Sequence, residues 1–218
     1  LKTPINDGWE VEKILKTKYG YEVTFLENAG KNQIIDALKS LKDSMSPSDA
    51  LLIYYAGHAD VGEKNKNEGF LQPIDSIFKK EETWISYDEV KKIIKSIDAK
   101  DIILIVDACY PGNVLRGVEE VTNLNLWEES QAVIAIASAN YNQPIRDEWN
   151  YSNHSLFALK FLKNLKKLNT NTKAYDLFAR LYTEITDESS NSQFPQNPLY
   201  ASVDGHKSGD FIFFPLIK

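Results

Sequence analysis

Three short runs of mostly apolar residues constrain the fold of this chain more than any other feature of its sequence. They lie at 49–56 (DALLIYYA), 101–106 (DIILIV) and 132–137 (AVIAIA). A strand is apolar along its whole length when both faces of its sheet are covered, whereas a half-exposed strand alternates apolar and polar residues. The three runs therefore predict strands of a parallel sheet that helices cover on both faces.

Segments with helical spacing separate these runs. In the clearest of these segments, 172–186, apolar residues recur at intervals of three and four. Ser86 with Glu89 forms a capping-box pattern at the start of another helical segment. The predicted helices span 7–18, 31–43, the segment after Ser86, 154–166 and 172–186; shorter strands are predicted at 21–26 and 210–214, and loops at 57–70 and 187–209. This alternation predicts a single α/β domain with a mainly parallel central sheet between two layers of helices.

The charge and hydropathy of the chain exclude several classes of function. Its 218 residues include 25 Lys and Arg against 31 Asp and Glu, a formal net charge of −6, whereas nucleic-acid binding usually needs a basic face. No apolar run approaches the roughly 20 residues that span a bilayer, and the first residues, LKTPINDGWE, lack the apolar stretch of a signal peptide. We therefore expect a cytoplasmic protein whose partners include neither nucleic acid nor a membrane.

The cysteine and histidine content bears on disulfides and metals. One cysteine cannot form an internal disulfide, and the chain has three scattered histidines and neither a CxxC nor an HExxH pattern. These features predict that the active site is not built on a metal and that the chemistry requires no cofactor. They direct attention to the position of the single cysteine, Cys109.

Two chemically reactive residues directly follow two of the predicted central strands. His58 comes after the strand 49–56, and Cys109 comes after the strand 101–106. Ligands of open α/β sheets bind beyond the carboxyl ends of the strands, and parallel neighbours end at the same edge. If these two strands are neighbours, an imidazole lies beside a thiol whose proton it can take. For each residue taken alone, the alternatives are a small buried apolar side chain and a hydrogen-bonded structural histidine.

The segments around these two residues resemble those of a known family. The resemblance is to the caspase-like peptidases, the clan of caspases, metacaspases and paracaspases, and it covers nearly the whole chain. The matching segments are IYYAGHAD at 53–60 and IVDACYPG at 105–112, which resemble the histidine and cysteine motifs, together with LKTPINDGWEVEKIL at 1–15, ASANYNQPIRDEW at 137–149 and HSLFALKFLKNL at 154–165. QFPQNP and GDFIFFP resemble the carboxyl end of the bacterial metacaspase-like members, the orthocaspases. The resemblance implies a three-layer α/β/α fold, and the family's first strand has no counterpart before residue 1.

The same resemblance implies a cysteine endopeptidase with a His58–Cys109 dyad. Cys109 attacks the scissile carbonyl, His58 protonates the leaving amine, and water then releases the acyl group. The backbone N–H groups of Ala59 and Cys109 form the implied oxyanion hole. The family usually has glycine directly after the histidine, where this chain has Ala59.

Acidic residues near these motifs bear on which peptide bond is cut. The resemblance places Asp107 and Asp7 in the pocket of relatives that cut after Arg or Lys. It places Asp147 or Glu148 in the loop that completes this pocket. Carboxylates that share a crevice repel one another unless a cation arrives, and a guanidinium can pair with them bidentately. The alternatives are that Asp7 caps the first helix and Asp107 only ends a strand, and that Arg146 fills the pocket from inside.

Two possible regulatory features concern the loop 113–131 that follows the cysteine. If the pocket takes arginine, the peptide bond after Arg116 is a candidate site of self-cleavage. Some metacaspases need calcium, but the acidic residues of this loop do not have the spacing of a calcium loop, so calcium activation has no support in the sequence. These residues are Glu119, Glu120, Glu128 and Glu129.

The leading prediction is an endopeptidase acting on protein or peptide substrates with Arg or Lys before the cut. By analogy alone, we expect a role in defence or cell death and a fused or associated regulatory domain. The second hypothesis is a catalytically silent interaction module with the same fold, against which the presence of both His58 and Cys109 argues. The third is caspase-type cleavage after Asp, which the negative charges of Asp7 and Asp107 disfavour.

Overall fold

The three apolar runs lie at the centre of the sheet in the structure, a computed structural model that describes residues 1–115, 131–203 and 209–216. They form β1 (Ala50–Val61), β4 (Asp101–Ala108) and β5 (Ala132–Ala137). The other strands are β2 (Gly69–Gln72), β3 (Ile85–Ser86), β6 (Thr172–Lys173), β7 (Leu199–Ser202) and β8 (Ile212–Phe213). The helices are α1 (Pro4–Tyr19), α2 (Lys31–Ser44), α3 (Tyr87–Lys95), α4 (Leu156–Lys167) and α5 (Ala174–Ser189). Every helix that the sequence predicted is present, with slightly shifted ends.

The main sheet has six strands in the order β3-β2-β1-β4-β5-β7. β4 pairs in parallel with both β1 and β5, whereas β2, β3 and β7 run antiparallel to their neighbours. The prediction of an α/β fold with a mainly parallel centre is therefore confirmed. The neighbouring position of β1 and β4, on which the pairing of His58 with Cys109 depends, is confirmed as well.

Side chains of the central strands alternate between two apolar cores. Ile103 and Ile105 of β4 pack in the core that includes residues of α1, α4 and α5. Ile102 and Leu104 of the same strand pack in the core that includes residues of α2 and α3. Burying a side chain of this size stabilises the fold by about 1.5–3 kcal/mol. Two covered faces explain why the central strands are apolar without alternation.

The sheet differs from the prediction at two of its margins. Tyr21–Leu26 was predicted to be a strand, but it forms none and pairs with none of the strands in the described part of the chain. The predicted loop 57–70 was also wrong at both ends. β1 continues to Val61, and β2 already begins at Gly69, so the two strands form an antiparallel pair. His58 and Ala59 therefore lie within a strand rather than in a flexible loop.

The carboxyl-terminal third contains a strand that the sequence did not indicate. β7 lies inside the segment 187–209, which was predicted to be a polar loop, and it pairs with β5 at the edge of the main sheet. The strand predicted at 210–214 is shorter and pairs with β6 in a separate two-stranded ribbon. Both differences concern which strand pairs with which, and pairing is a tertiary property.

The longest helices, α1 and α5, have 16 residues each. In the part of the chain that the structure describes, no helix has both the length and the apolar character needed to cross a bilayer.

Candidate active site

His58 and Cys109 lie at the same edge of the sheet because β1 and β4 are parallel neighbours. Their last paired residues are Gly57 and Ala108, so His58 and Cys109 directly follow a matched pair. Adjacent strands are about 4.8 Å apart. His58 is exposed and Cys109 is half-buried. The structure thus brings the two residues of the predicted dyad to neighbouring positions that solvent can reach.

The backbone around His58 is held by the pairing of β1 with β2 and by Tyr55. The Tyr55 hydroxyl donates a hydrogen bond to the carbonyl oxygen of His58 at 2.7 Å. A Cβ atom at Gly57 would lie 2.9 Å from that hydroxyl. The absence of a side chain at Gly57 therefore leaves room for the Tyr55 ring to reach the His58 carbonyl. In addition, His58 and Gln72 face each other across the two strands. The main chain of the histidine is therefore fixed while its side chain faces solvent.

The pairing of β1 with β2 also determines where the N–H group of Ala59 points. The N–H of Gly62 donates to the carbonyl of Glu68 at 2.9 Å, and hydrogen-bonded pairs alternate along an antiparallel ladder. The pair Ala59–Leu71 is therefore a non-bonded one, and the Ala59 N–H points away from β2, toward the side of Cys109. Ala59 does not have a positive φ, so this position does not require the conformational freedom of glycine.

The turn after Cys109 is held by the segment that follows β5. The Cys109 thiol donates to the carbonyl oxygen of Ile145 at 3.8 Å, and the N–H of Tyr110 donates to the carbonyl of Gln143 at 3.1 Å. Tyr110 has a φ of 51°, a left-handed conformation that bulky residues rarely adopt and that is often found at functional sites. A sharp turn thus directs the chain away from the sheet directly after Cys109.

The electrostatic environment favours neutral forms of both dyad residues at rest. Burial raises the pKa of the Cys109 thiol, and the neighbouring carboxylates, including that of Asp107, raise this pKa further. Burial lowers the pKa of His58. At neutral pH the resting pair is therefore a thiol beside a neutral imidazole rather than an ion pair. An imidazole in this form can accept the thiol proton once a substrate is bound.

A second group of side chains surrounds Asp7, which is 1% exposed. One carboxylate oxygen of Asp7 lies 2.5 Å from Nδ1 of His154, and the other accepts a hydrogen bond from the N–H of Ser155 at 3.3 Å. A contact this short between a ring nitrogen and a carboxylate oxygen is a hydrogen bond with one proton between the two atoms. The side chain of Asp7 thus contacts the segment before α4 and does not cap α1, so this alternative is wrong.

Asp107 belongs to the same group and is 4% exposed. Its Oδ2 accepts from the hydroxyls of Ser155 at 2.5 Å and Tyr54 at 3.4 Å. Its Oδ1 has no hydrogen-bond partner, and the nearby Ser138 hydroxyl, also fully buried, makes no hydrogen bond of normal geometry either. Burial, together with the charge of Asp7, raises the pKa of Asp107 to about 7. A buried carboxylate with a free oxygen is unfavourable unless a cation or a proton binds to it.

Comparison with known families identifies the family of this chain. The family model of the caspase domain matches residues 1–207. The chain belongs to the caspase domain family. The members of this family are cysteine peptidases, so the domain is of a cysteine peptidase type. This match also confirms the resemblance seen in the histidine and cysteine motifs, at the level of the caspase-like clan.

Solved structures agree with this assignment at the level of the fold. Caspase-1 from Spodoptera frugiperda is similar with a TM-score of 0.64 and 17% sequence identity, over 93% of this chain and 81% of that chain. The protein GSU0716 from Geobacter sulfurreducens is similar with a TM-score of 0.66 and 13% identity, over 90% of this chain and 82% of that chain. No curated protein sequence matches this chain significantly. Identities this low show a shared fold only.

The two other acids considered for the pocket of this caspase domain have partners elsewhere. The Asp147 carboxylate accepts from the backbone N–H groups of Lys2 at 2.5 Å and Thr3 at 3.3 Å and from the Thr3 hydroxyl at 3.0 Å. It thereby ties its loop to the start of α1. Glu148 accepts from the N–H of Asn153 at 3.3 Å. The structure brings Asp7 and Asp107 together through Ser155, and a role of the other two in substrate binding stays a prediction.

The sequence did not indicate two members of the acid group, His154 and Ser155. The alternative that Arg146 fills the pocket from inside has no support in the structure. Arg146 is exposed and makes no ion pair with any residue in the described ranges. His154 contacts Asp7 instead. The available signal was a histidine and a serine directly before a predicted helix, and Ser155 is indeed the N-cap of α4. Only the fold shows that these residues face acids that precede them by 48 and 147 positions in the chain.

The loop that carries Arg116 and the four glutamates considered for calcium lies outside the described residues. Within the described part, no three His, Cys, Asp or Glu side chains are grouped so that they could hold a metal ion. Self-cleavage after Arg116 therefore stays a prediction, and calcium activation stays without support.

Proposed function

We propose that this caspase domain is a cysteine endopeptidase that cleaves peptide bonds after Arg or Lys, with Cys109 as the nucleophile and His58 as its acid–base partner. The observation that supports this specificity best is the free Oδ1 of Asp107, a buried carboxylate oxygen without a partner two residues before the nucleophile. Asp7 adds a second negative charge to the same group. An ammonium or guanidinium group is the natural partner for such a site.

The chemistry is acyl transfer in two stages. His58 takes the proton of the Cys109 thiol, and the sulfur bonds to the scissile carbonyl carbon to form a tetrahedral intermediate. The N–H of Ala59, which points toward the side of Cys109, and the N–H of Cys109 stabilise the oxyanion. The C–N bond then breaks as the imidazolium gives its proton to the leaving amine. Water, deprotonated by His58, hydrolyses the thioester and restores the thiol.

The acid group selects for a cation on electrostatic grounds. An aspartate in the same place would put a third carboxylate beside two buried ones, and like charges in a poorly solvated site repel strongly. A basic side chain has the opposite effect, because it lowers the pKa of Asp107 and gives Oδ1 its missing partner. Both acids are shielded from solvent, so a substrate side chain must displace the groups that cover them.

Hydrolysis of fluorogenic peptides that end in Arg, Lys, citrulline or Asp tests the proposal. Citrulline has the shape of arginine without its charge, so it is the matched control for electrostatic recognition. We expect turnover after Arg and Lys, little after citrulline and none after Asp, and we expect Cys109→Ala to abolish all of it. Turnover only after Asp would preserve the dyad and refute the acidic pocket. If a Cys109-reactive peptide electrophile also failed to label the protein, the silent interaction module would be the better hypothesis.

A further inference from the structure

The two acids of the pocket are not equally available to a substrate. Both carboxylate oxygens of Asp7 are engaged by consecutive residues, one by Nδ1 of His154 at 2.5 Å and the other by the N–H of Ser155 at 3.3 Å. On Asp107, only Oδ2 is engaged, and Oδ1 has no partner. The group therefore has two carboxyl groups but one acceptor oxygen without a hydrogen-bond partner.

His154 also separates Asp7 from solvent. The side chain of His154 is 18% exposed, whereas that of Asp7 is 1% exposed. The backbone of His154 is fixed on both sides, because its carbonyl accepts from the N–H of Trp149 at 2.8 Å and Ser155 is the N-cap of α4. The amide of Asn6 lies 3.3 Å from the same ring nitrogen. A basic side chain that enters from solvent consequently meets the imidazole before it meets Asp7.

We infer that His154 is a specificity-determining residue, because it occupies Asp7 and leaves Oδ1 of Asp107 as the single carboxylate oxygen of the group without a hydrogen-bond partner. This inference rests on the proposed cleavage after Arg or Lys. The inference can be tested because Arg and Lys side chains differ in the number of acceptor oxygens that they can bind in parallel. A guanidinium gains over an ammonium when two acceptor oxygens can take its parallel N–H groups, whereas a single acceptor serves both.

The inference predicts that the protein itself discriminates weakly between Arg and Lys. Removing the imidazole should free Oδ1 of Asp7 and add a second unpartnered acceptor to the group, whose two acids Ser155 joins through the other oxygen of each. The variant His154→Ala should therefore prefer Arg more strongly than the unmodified protein does. His154→Asn is the matched control, because the side-chain nitrogen of Asn occupies the place of Nδ1 and can still donate to Asp7.

The experiment measures kcat/KM for paired peptides that differ only in Arg or Lys before the cut. The Arg/Lys ratio cancels any general loss of activity or folding, since both peptides meet the same dyad in the same sample. We expect a ratio within about threefold of unity in the unmodified protein and in His154→Asn, and a rise of roughly tenfold in His154→Ala, the value of one additional charge-assisted hydrogen bond. An unchanged ratio in His154→Ala would overturn the inference.

Two further outcomes separate this inference from the proposed function. An equal rise in His154→Asn and His154→Ala would show that loss of the ring, rather than release of the Asp7 oxygen, changes the ratio, and it would overturn the inference while cleavage after Arg and Lys stands. Cleavage after neither Arg nor Lys by any of the three proteins, with Cys109 still reactive toward iodoacetamide, would overturn the proposed specificity and the inference with it.

Discussion

The dyad and the acid group lie at the same edge of the sheet, but they are built in different ways. His58 and Cys109 directly follow the last paired residues of two neighbouring central strands and are reached by solvent. The acids are buried and joined to each other through Ser155, which hydrogen-bonds to both Asp7 and Asp107. Strand order is enough to pair two reactive side chains, whereas a recognition pocket needs several elements packed together. The two regions should therefore respond differently to the same kinds of change.

The largest expected effect is on the dyad alone. Cys109→Ala should lower hydrolysis by roughly 10⁴-fold or more, since removing a nucleophile leaves only binding and oxyanion stabilisation. The thiol contacts the Ile145 carbonyl only through a long hydrogen bond, so the midpoint of urea unfolding should stay almost unchanged. Activity and stability are measured on the same preparation. A large loss of stability would mean that the cysteine is structural, as the alternative for a lone buried cysteine supposed.

The next effect should separate recognition from reactivity. Asp107→Asn removes the charge of the pocket while it keeps the side-chain shape, and it should reduce kcat/KM for Arg peptides by roughly 30-fold or more, the usual result of breaking a buried charge pair. Alkylation of Cys109 by iodoacetamide should not slow down, because the Asp107 charge raises the pKa of the thiol. Glu148→Gln is the control acid. We expect a much smaller effect there, because Glu148 contacts the backbone of Asn153.

A third difference concerns how stability depends on pH. The pKa of Asp107 is about 7 in the folded protein against 3.8 as the ordinary value, so the folded state holds this proton more tightly than the unfolded state does. This proton's contribution to the free energy of unfolding is complete below about pH 4. It is lost as the pH rises toward 7, and the free energy of unfolding then falls by an amount on the order of a few kcal/mol. Urea unfolding from pH 4 to 8 measures this slope. Asp107→Asn should flatten it, and an equal slope in both proteins would contradict the shift.

The smallest expected effect compares two serine caps. Ser86 and Ser155 each accept a hydrogen bond from the N–H three residues later, at 3.1 and 2.9 Å, so replacement by Ala should cost each helix about 1 kcal/mol. Ser155 also donates to Asp107, and its loss leaves a buried acceptor with one fewer partner. Ser155→Ala should therefore destabilise the protein by about 1–3 kcal/mol more than Ser86→Ala does. Equal losses would remove Ser155 from the acid group.

The sequence supported correct predictions wherever the signal was local. The three apolar runs identified the central strands, the spacing of apolar residues identified the helices, and Ser86 was recognised as an N-cap, which the structure confirms. The segment 21–26 has the composition of a strand but pairs with no strand of the described residues, whereas the four residues of β7, within a mostly polar segment, pair with β5. Strand composition reports how well a segment suits a sheet, and only the packing of the chain supplies its partner.

For the candidate site, the sequence alone predicted the reactive pair. Two residues at the carboxyl ends of parallel strands share an edge if the strands are neighbours, and two motifs predicted which residues these are. Only the tertiary structure decided the state of the acids. It placed His154 against Asp7, Ser155 between Asp7 and Asp107, and Asp147 against the start of α1. The physical reason is that hydrogen bonds in a buried group depend on which surfaces the helices bring together, and no local pattern of residues indicates contacts between positions so far apart in the chain.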